Sequence, residues 1–135
     1  MPRSTRKEGG ELRLTFATLR EILTVYSERL LVTHDKPGDY QLCSRRLKDR
    51  IGRPLLVAGV QIKKNYVSYH LMPIYMNSAL QRKVSPALKK RMNGKACFNF
   101  LAIEPQQIEE LAALTRDGIE VFETVRLPWG KPQKQ

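Results

Sequence analysis

The stretch LLVAGVQIKKNYVSYHLM, residues 55–72, decides the fold because it holds two alternating segments joined by three polar residues. The apolar residues that share one strand face in the first segment are Leu56, Ala58, Val60 and Ile62. Those of the second segment are Val67, Tyr69 and Leu71. Residues 63–65 leave only enough chain for a tight turn, so strands over 55–63 and 66–72 should pair as an antiparallel hairpin.

The chain before this hairpin predicts a helix and a first strand. Apolar residues recur at helical spacing over 15–31, and Thr18 and Glu21 have the spacing of a capping box, although Thr15 is an alternative cap. A proline and a glycine within 35–39 predict a turn. A short strand is expected over 40–45, followed by a basic loop over 45–54.

The chain after the hairpin predicts a mixture of helices and one strand. The expected elements are a short helical turn within 74–84, a helix over 86–92, a strand over 96–101 and a helix from Pro105. Ser85 before Pro86 is a good helix start, because the hydroxyl caps free amides and proline has no amide to leave unpaired. Phe98 and Phe100 share one face of the strand. The last helix is expected to break near Gly118.

This order of elements predicts a two-layer α+β sandwich, in which a mainly antiparallel sheet packs its apolar face on N- and C-terminal helices. At 135 residues the length is that of one domain. The expected division is a flexible basic arm over 1–12, one domain over 13–126 and a tail over 127–135 that Trp129 docks.

The charge is the compositional outlier, because 24 Lys and Arg against 13 Asp and Glu give a formal net charge of +11. Residues 44–64 and 82–95 are strongly basic, whereas 104–125 are acidic, so the molecule should be polarised and should attract polyanions. There is no apolar stretch long enough to span a membrane, and the charged N-terminus without a following apolar segment leads us to expect no leader sequence. We therefore expect a cytoplasmic protein with no membrane partner.

The two cysteines and two histidines do not form a recognisable metal or catalytic motif. Cys43 and Cys97 lie in predicted strands, where a free cysteine usually behaves as a small buried hydrophobe, so we expect both to be reduced. Neither lies in a Cys-x-x-Cys pair or beside closely spaced histidines. Phosphate loops, nucleophile elbows and zinc-protease motifs are absent from the sequence, so we expect no cofactor, no metal and no enzymatic activity.

Three segments carry a family resemblance: GVQIKKNYVSYHLMP at 59–73, SPALKKRM at 85–92 and GKACFNF at 94–100. Together they resemble the YdhG-like family of small bacterial α+β domains, mostly without assigned function, over roughly residues 15–123. One branch is described as frataxin-like, which implies an iron-handling protein with surface carboxylates. In this chain only the last helix clusters acids: Glu109, Glu110, Asp117, Glu120 and Glu123. The positive net charge opposes cation binding, so we expect no tight ferrous site.

The candidate sites lie on the basic segments and on the strand face opposite Val67, Tyr69 and Leu71. The proposed anion-binding residues are Arg45, Arg46, Lys48, Lys63, Lys64, Lys89, Lys90 and Lys95, with the loop carrying the first three expected near the sheet end of the hairpin tip. The proposed open-face pocket comprises Tyr66, Ser68 and His70. Tyrosines able to stack on bases would be Tyr40, Tyr66 and Tyr75.

The leading hypothesis from these residues is a non-enzymatic domain that binds an anionic ligand or partner. The alternatives are a frataxin-like metal carrier, a nucleic-acid binding protein and a small enzyme that uses His70 with a tyrosine. The sheet's second face separates these hypotheses, because it can face solvent, form a pocket or form a homodimer interface.

Overall fold

The computed structural model describes residues 2–124, with side chains from Gly10 onward. The helices and strands in this part of the chain are α1 (Pro2–Thr24), β1 (Leu31–Lys36), β2 (Asp39–Lys48), β3 (Pro54–Ile62), β4 (Val67–Leu71), α2 (Met72–Met76), α3 (Ser78–Lys83), α4 (Pro86–Lys89), β5 (Cys97–Phe100) and α5 (Pro105–Phe122).

The five strands form one antiparallel sheet in chain order, β1-β2-β3-β4-β5. The predicted hairpin is confirmed as β3 and β4, with Ile62 opposite Val67 at the turn. The Lys63 amide donates to the Tyr66 carbonyl across this turn at 2.7 Å. Because each strand pairs with the next one along the chain, β3 lies at the centre of the sheet.

The helices cover one face of this sheet, which confirms the α+β sandwich. Both α1 and α5 pack on β3, and α1, α2 and α3 all contact α5, so these helices share one side. The inward strand positions are fully buried there, including Tyr69, Phe98 and Phe100. The Tyr69 hydroxyl lies 2.6 Å from the Thr115 hydroxyl of α5, which gives both buried polar groups a partner.

The N-terminal helix differs from its predicted bounds at both ends. Its backbone is helical from Pro2, which includes residues assigned to a flexible arm, and it ends at Thr24 instead of 31. The Thr18 hydroxyl donates to the Leu14 carbonyl at 3.0 Å within the helix, so Thr18 is not a cap. Residues 25–30 form turns, and β1 follows where the sequence predicted no strand.

The second strand is longer than predicted and continues through a shift in its register with β3. β2 continues to Lys48, so the loop that was expected over 45–54 shrinks to 49–53. The Ser44 hydroxyl accepts from the amides of Arg46 and Leu47 at 3.0 and 2.8 Å, which satisfies donors that the shifted ladder leaves unpaired. The basic residues of 45–48 therefore lie on a strand.

A register shift in the β2–β3 ladder overturns the predicted position of Leu56. Leu42 pairs with Ala58 but Cys43 pairs with Leu56, so β3 has one extra residue, Val57, at this point. Val57 and Ala58 are both fully buried, and Leu56 is only half-buried. An extra residue reverses the alternation of a strand, so Leu56 does not share the inward face of Ala58.

The last helix runs through Asp117 and Gly118 without the predicted break. A Cβ added at Gly118 would lie 2.9 Å from the Pro73 Cβ, so glycine here allows close packing of α5 on α2. Residues 74–84 form most of α2 and α3, and α4 is shorter than predicted. Its predicted cap is confirmed, because the Ser85 hydroxyl accepts from the Leu88 amide at 3.1 Å.

Two remaining expectations concern membranes and the tail. Among residues 2–124 there is no helix with the length and apolar character that crossing a membrane requires. The predicted tail over 127–135, and the docking of Trp129, lie outside the described residues.

Candidate functional site

The sheet face opposite the helices, here called the outer face, carries two rows of mostly polar residues. The β-ladders align His34, Gln41, Gly59, His70 and Cys97 in one row across all five strands. They align Lys36, Asp39, Gln61, Ser68 and Asn99 in the next row. Side chains alternate along a strand, so these positions point away from the core that Tyr69 and Phe98 occupy.

The β2–β3 half of the outer face forms a satisfied hydrogen-bond network. One oxygen of the Asp39 carboxylate accepts from the side-chain amide of Gln41 at 2.9 Å and from that of Gln61 at 3.2 Å. The neighbouring Gly59 has no side chain, and an added Cβ would lie 3.2 Å from Gln41 Cγ. The centre of the outer face is therefore a shallow depression at Gly59, between the side chains of Gln41 and His70.

The β4–β5 half comprises Ser68, His70, Cys97 and Asn99, here called the β4–β5 patch. His70 and Cys97 are directly opposite each other, and His70 Nδ1 lies 2.9 Å from Cys97 Sγ. Ser68 lies diagonally across the β4–β5 ladder from Cys97. His70 Nε2 is buried and has no hydrogen-bond partner within the described part of the chain. The patch therefore has one unused polar group.

Burial keeps the two titratable groups of the patch uncharged at neutral pH. Desolvation lowers the pKa of His70 below its ordinary value of 6.5. Desolvation also raises the pKa of the Cys97 thiol above its ordinary value, while the Ser68 hydroxyl and the positive charge of Lys63 act in the opposite direction. A neutral imidazole beside a thiol can accept a proton from it.

Lysines and an arginine border the β4–β5 patch on three sides. Lys63 and Lys64 lie in the β3–β4 turn, and the Lys95 ammonium lies 6.0 Å from the centre of the Tyr75 ring beyond the other end of β4. Met92 bridges to Phe98, and Asn99 donates its amide to the Arg91 carbonyl, so the chain after Lys89 and Lys90 runs along the β5 edge. Within residues 10–124, the cations without a carboxylate inside 4.0 Å include Lys63, Lys64, Lys89, Lys90, Arg91 and Lys95.

The other predicted anion-binding residues lie at the opposite end of the sheet, which corrects their expected position. Lys48 pairs with Pro54 at the start of β3, whereas Lys63 follows its end. Eight residue steps at roughly 3.3 Å separate those strand ends by about 26 Å. The Arg46 guanidinium donates to the Phe122 and Glu123 carbonyls at 3.2 and 2.9 Å, and so caps the negative end of α5.

A cleft of about 230 Å³ lies at this opposite end of the sheet. Its lining residues are Arg29, Leu30, Ser44, Arg45, Arg46, Ile119, Phe122 and Glu123. Arg29 Nη2 lies 2.6 Å from the Glu123 carboxylate, so an acid already neutralises part of the positive charge of the cleft. The contacts of Arg46 hold the end of α5 against β2, and the contact of Arg29 holds it against the turn before β1. These contacts assign both arginines a structural role.

The predicted aromatic stacking surface does not form. Tyr40 is only 2% exposed and lies beneath the Arg20 guanidinium, whose carbon is 4.6 Å from the ring centre. The sequence analysis was wrong about this residue because Tyr40 occupies an inward position of β2. Tyr66 is half-buried at the β3–β4 turn, and the exposed Tyr75 lies beyond the opposite end of β4. Two tyrosines so far apart do not form one platform for successive bases.

The acids of α5 are dispersed among several different contacts. Asp117 is bound by Lys83 and Arg116, each at 3.2 Å, and Glu110 accepts from both the amide and the hydroxyl of Ser85 at 2.7 Å. In the region with described side chains, no group of three or more His, Cys, Asp or Glu residues is placed to hold a metal ion.

The sequence analysis missed Cys97 as the partner of His70. It proposed a tyrosine, but the nearest one along the strand, Tyr69, directs its hydroxyl to Thr115 on the covered side. The alternation of GKACFNF already placed Cys97 opposite the face of Phe98 and Phe100. What it could not supply was the β4–β5 register that sets Cys97 beside His70.

Comparison of the chain with protein-family models, with curated proteins and with solved structures finds no match in any of the three. The resemblance to the YdhG-like family therefore stays a prediction.

Proposed function

We propose that the protein binds a small anionic ligand on the β4–β5 patch. The observation that carries this proposal is the ladder register, which places Ser68, His70 and Asn99 together between the cations of both strand ends. The hydroxyl of Ser68 and the carboxamide of Asn99 are able to donate hydrogen bonds to anionic oxygens. Lys63 and Lys95 supply the positive charge on either side.

Two features favour an anion over other ligands at this site. The bordering lysines have no carboxylate within 4.0 Å among the described residues, so a bound anion would not have to displace an internal partner. Asp39 is the one acid in the two outer-face rows, and its carboxylate already accepts hydrogen bonds from the side-chain amides of Gln41 and Gln61. Its negative charge is on the β2–β3 half and not in the patch.

A small anion fits the geometry better than a nucleic acid or a metal ion. Single-strand binders stack successive bases on aromatic side chains, and Tyr40 is buried in this protein. Iron favours clustered oxygen ligands, whereas three of the acids in and after α5, Glu110, Asp117 and Glu123, are engaged by Ser85, by Lys83 and Arg116, and by Arg29. The proposal therefore concerns phosphate-bearing or carboxylate-bearing small molecules.

The test is a titration with inorganic pyrophosphate at two salt concentrations, followed by backbone amide chemical shifts. We expect shifts at Ser68, His70 and Asn99, and an affinity that falls with salt. The Lys63→Glu/Lys64→Glu variant should bind roughly tenfold more weakly, which corresponds to about 1.4 kcal/mol. Lys131→Glu/Lys134→Glu is the control, because it changes the net charge equally.

Three results would overturn the proposal: no binding at low salt, shifts confined to other surfaces, or an equal loss in the control variant. A single-stranded oligonucleotide forms a second arm of the same titration. If the oligonucleotide binds through Lys63 and Lys64 while pyrophosphate does not, the protein is a nucleic-acid binder and the small-ligand proposal is wrong.

A further inference from the structure

The two cysteines of this chain have different surroundings, although both are free. Cys97 is half-buried on the outer face, with His70 Nδ1 2.9 Å from its sulfur. Cys43 is only 7% exposed, and its sulfur lies 3.5 Å from the Thr33 hydroxyl. Only Cys97 therefore combines access from solvent with a hydrogen-bonded group that can accept the thiol proton.

We propose that Cys97 is a reactive thiol, with His70 as its proton acceptor, and that it forms mixed disulfides with small disulfide compounds. A preference for anionic disulfides over neutral ones is a further part of the proposal, and this part rests on the proposed anion-binding function. His70 counts as a catalytic residue in this reaction because it contacts the reacting thiol.

The reaction is a thiol–disulfide exchange in which atoms and electrons balance. The Cys97 proton passes to His70 Nδ1 as the sulfur attacks one sulfur of the disulfide. A new S–S bond forms to Cys97 and the original S–S bond breaks, so the second sulfur leaves as a thiolate. That thiolate takes the proton from His70, which restores the neutral imidazole. The disulfide itself is the oxidant, and no other co-reactant is required.

The charges around the pair favour proton transfer during attack over a preformed ion pair. Burial raises the pKa of Cys97 and lowers that of His70, so both groups are neutral before the reaction. The group facing His70 from β5 is Cys97, and Gly59 faces it from β3 without a side chain. The described charge that acts on Cys97 is Lys63, which stabilises the thiolate as it forms. A thiolate of high pKa is also intrinsically more nucleophilic.

The experiment measures mixed-disulfide formation by the full, reduced chain with the neutral hydroxyethyl disulfide and the anionic oxidised glutathione. Intact mass follows the rate, and peptide mapping locates the adduct. We expect an adduct on Cys97 in the wild type and in Cys43→Ser, and none on Cys97→Ser. His70→Gln should react roughly tenfold more slowly at neutral pH with the neutral disulfide, and the difference should disappear in alkali, where the thiolate forms without a base.

The folding of each variant is checked by its melting transition, and Ser68→Ala supplies a second variant that leaves the imidazole in place. It should slow the reaction less than His70→Gln, because Ser68 only lowers the pKa of the thiol, whereas His70 is the base. The reactive-thiol proposal is wrong if Cys43 reacts as fast as Cys97, or if His70→Gln keeps the wild-type rate at neutral pH.

The ratio of the two disulfides separates this proposal from the anion-binding function. If the anionic site exists, oxidised glutathione reacts faster than the neutral compound at low salt, and Lys63→Gln reduces that ratio. Equal rates that still depend on His70 would support the thiol site and contradict the anionic preference. Pyrophosphate binding without His70-dependent exchange would support the anion site and contradict the thiol site.

Discussion

The two faces of β4 differ in what holds their side chains. On the covered face Val67, Tyr69 and Leu71 are completely buried beneath helices. On the outer face Ser68 and His70 are half-buried and pair with residues of the neighbouring strands β3 and β5. The comparison teaches that stability is concentrated on one side of the sheet, and that the other side is free to carry polar and reactive groups.

The largest expected effect is on the free energy of unfolding, and it should differ between adjacent positions of β5. Phe98 and Phe100 are both fully buried, so Phe98→Ala or Phe100→Ala should lower the free energy of unfolding by about 3–5 kcal/mol. Asn99→Ala lies between them on the outer face and should cost less than about 1 kcal/mol. Urea denaturation measures all three variants. Comparable losses at all three positions would show that the outer face is part of the core.

A smaller effect is expected for the buried hydroxyl on the covered face of β4. Tyr69→Phe leaves the Thr115 hydroxyl without its partner at 2.6 Å and should cost about 1–3 kcal/mol. The matched control is Tyr66→Phe, because Tyr66 lies in the turn just before β4 and is only half-buried. A double-mutant cycle with Thr115→Val isolates the pair, and a coupling near zero would contradict the assigned hydrogen bond.

Two helical glycines should respond to alanine with opposite signs. At Gly118 an added Cβ would lie 2.9 Å from the Pro73 Cβ, so Gly118→Ala should destabilise by about 1–2 kcal/mol despite its better helix propensity. At Gly10 nothing lies within 4 Å, so Gly10→Ala should stabilise by about 0.5–1 kcal/mol. Thermal melting compares the two variants. If Gly118→Ala also stabilises, α5 packs less closely on α2 than described.

The smallest effect is the pH dependence that His70 adds to stability. Its pKa in the folded protein is below the ordinary value of 6.5, so the unfolded chain binds more protons and stability rises with pH. This contribution is complete above pH 6.5 and decreases as the pH falls towards the folded pKa. On acidification through this range, the melting temperature of His70→Gln should therefore fall less than that of the wild type. Parallel curves would show that His70 is not desolvated.

The sequence predicted the elements whose side-chain periodicity is local. The alternation in 55–72 correctly predicted the hairpin, and the alternation in GKACFNF placed Phe98 and Phe100 in the core. Ser85 before Pro86 correctly predicted a helix cap. Each of these signals depends on neighbours only one to four residues away, which is the range over which propensity and periodicity act.

The wrong predictions share a dependence on distant partners. β1 is a strand because it pairs with β2, and its own residues did not predict a strand. Leu56 does not lie on its predicted inward face, because the register of β3 shifts by one residue against β2. Gly118 remains helical because α5 packs against Pro73, where the local sequence indicated a break. In each case a tertiary contact overrides the local preference.

The candidate site shows the same division between local and distant information. The charge of the chain and the outward position of His70 followed from the residues alone, because counting and alternation need no partner. The meeting of His70 with Cys97, and the separation of Lys48 from Lys63 by the length of β3, followed only from the order and register of the strands. Register is a property of two strands together, so one strand's sequence determines which face a residue occupies and the tertiary structure determines what it meets there.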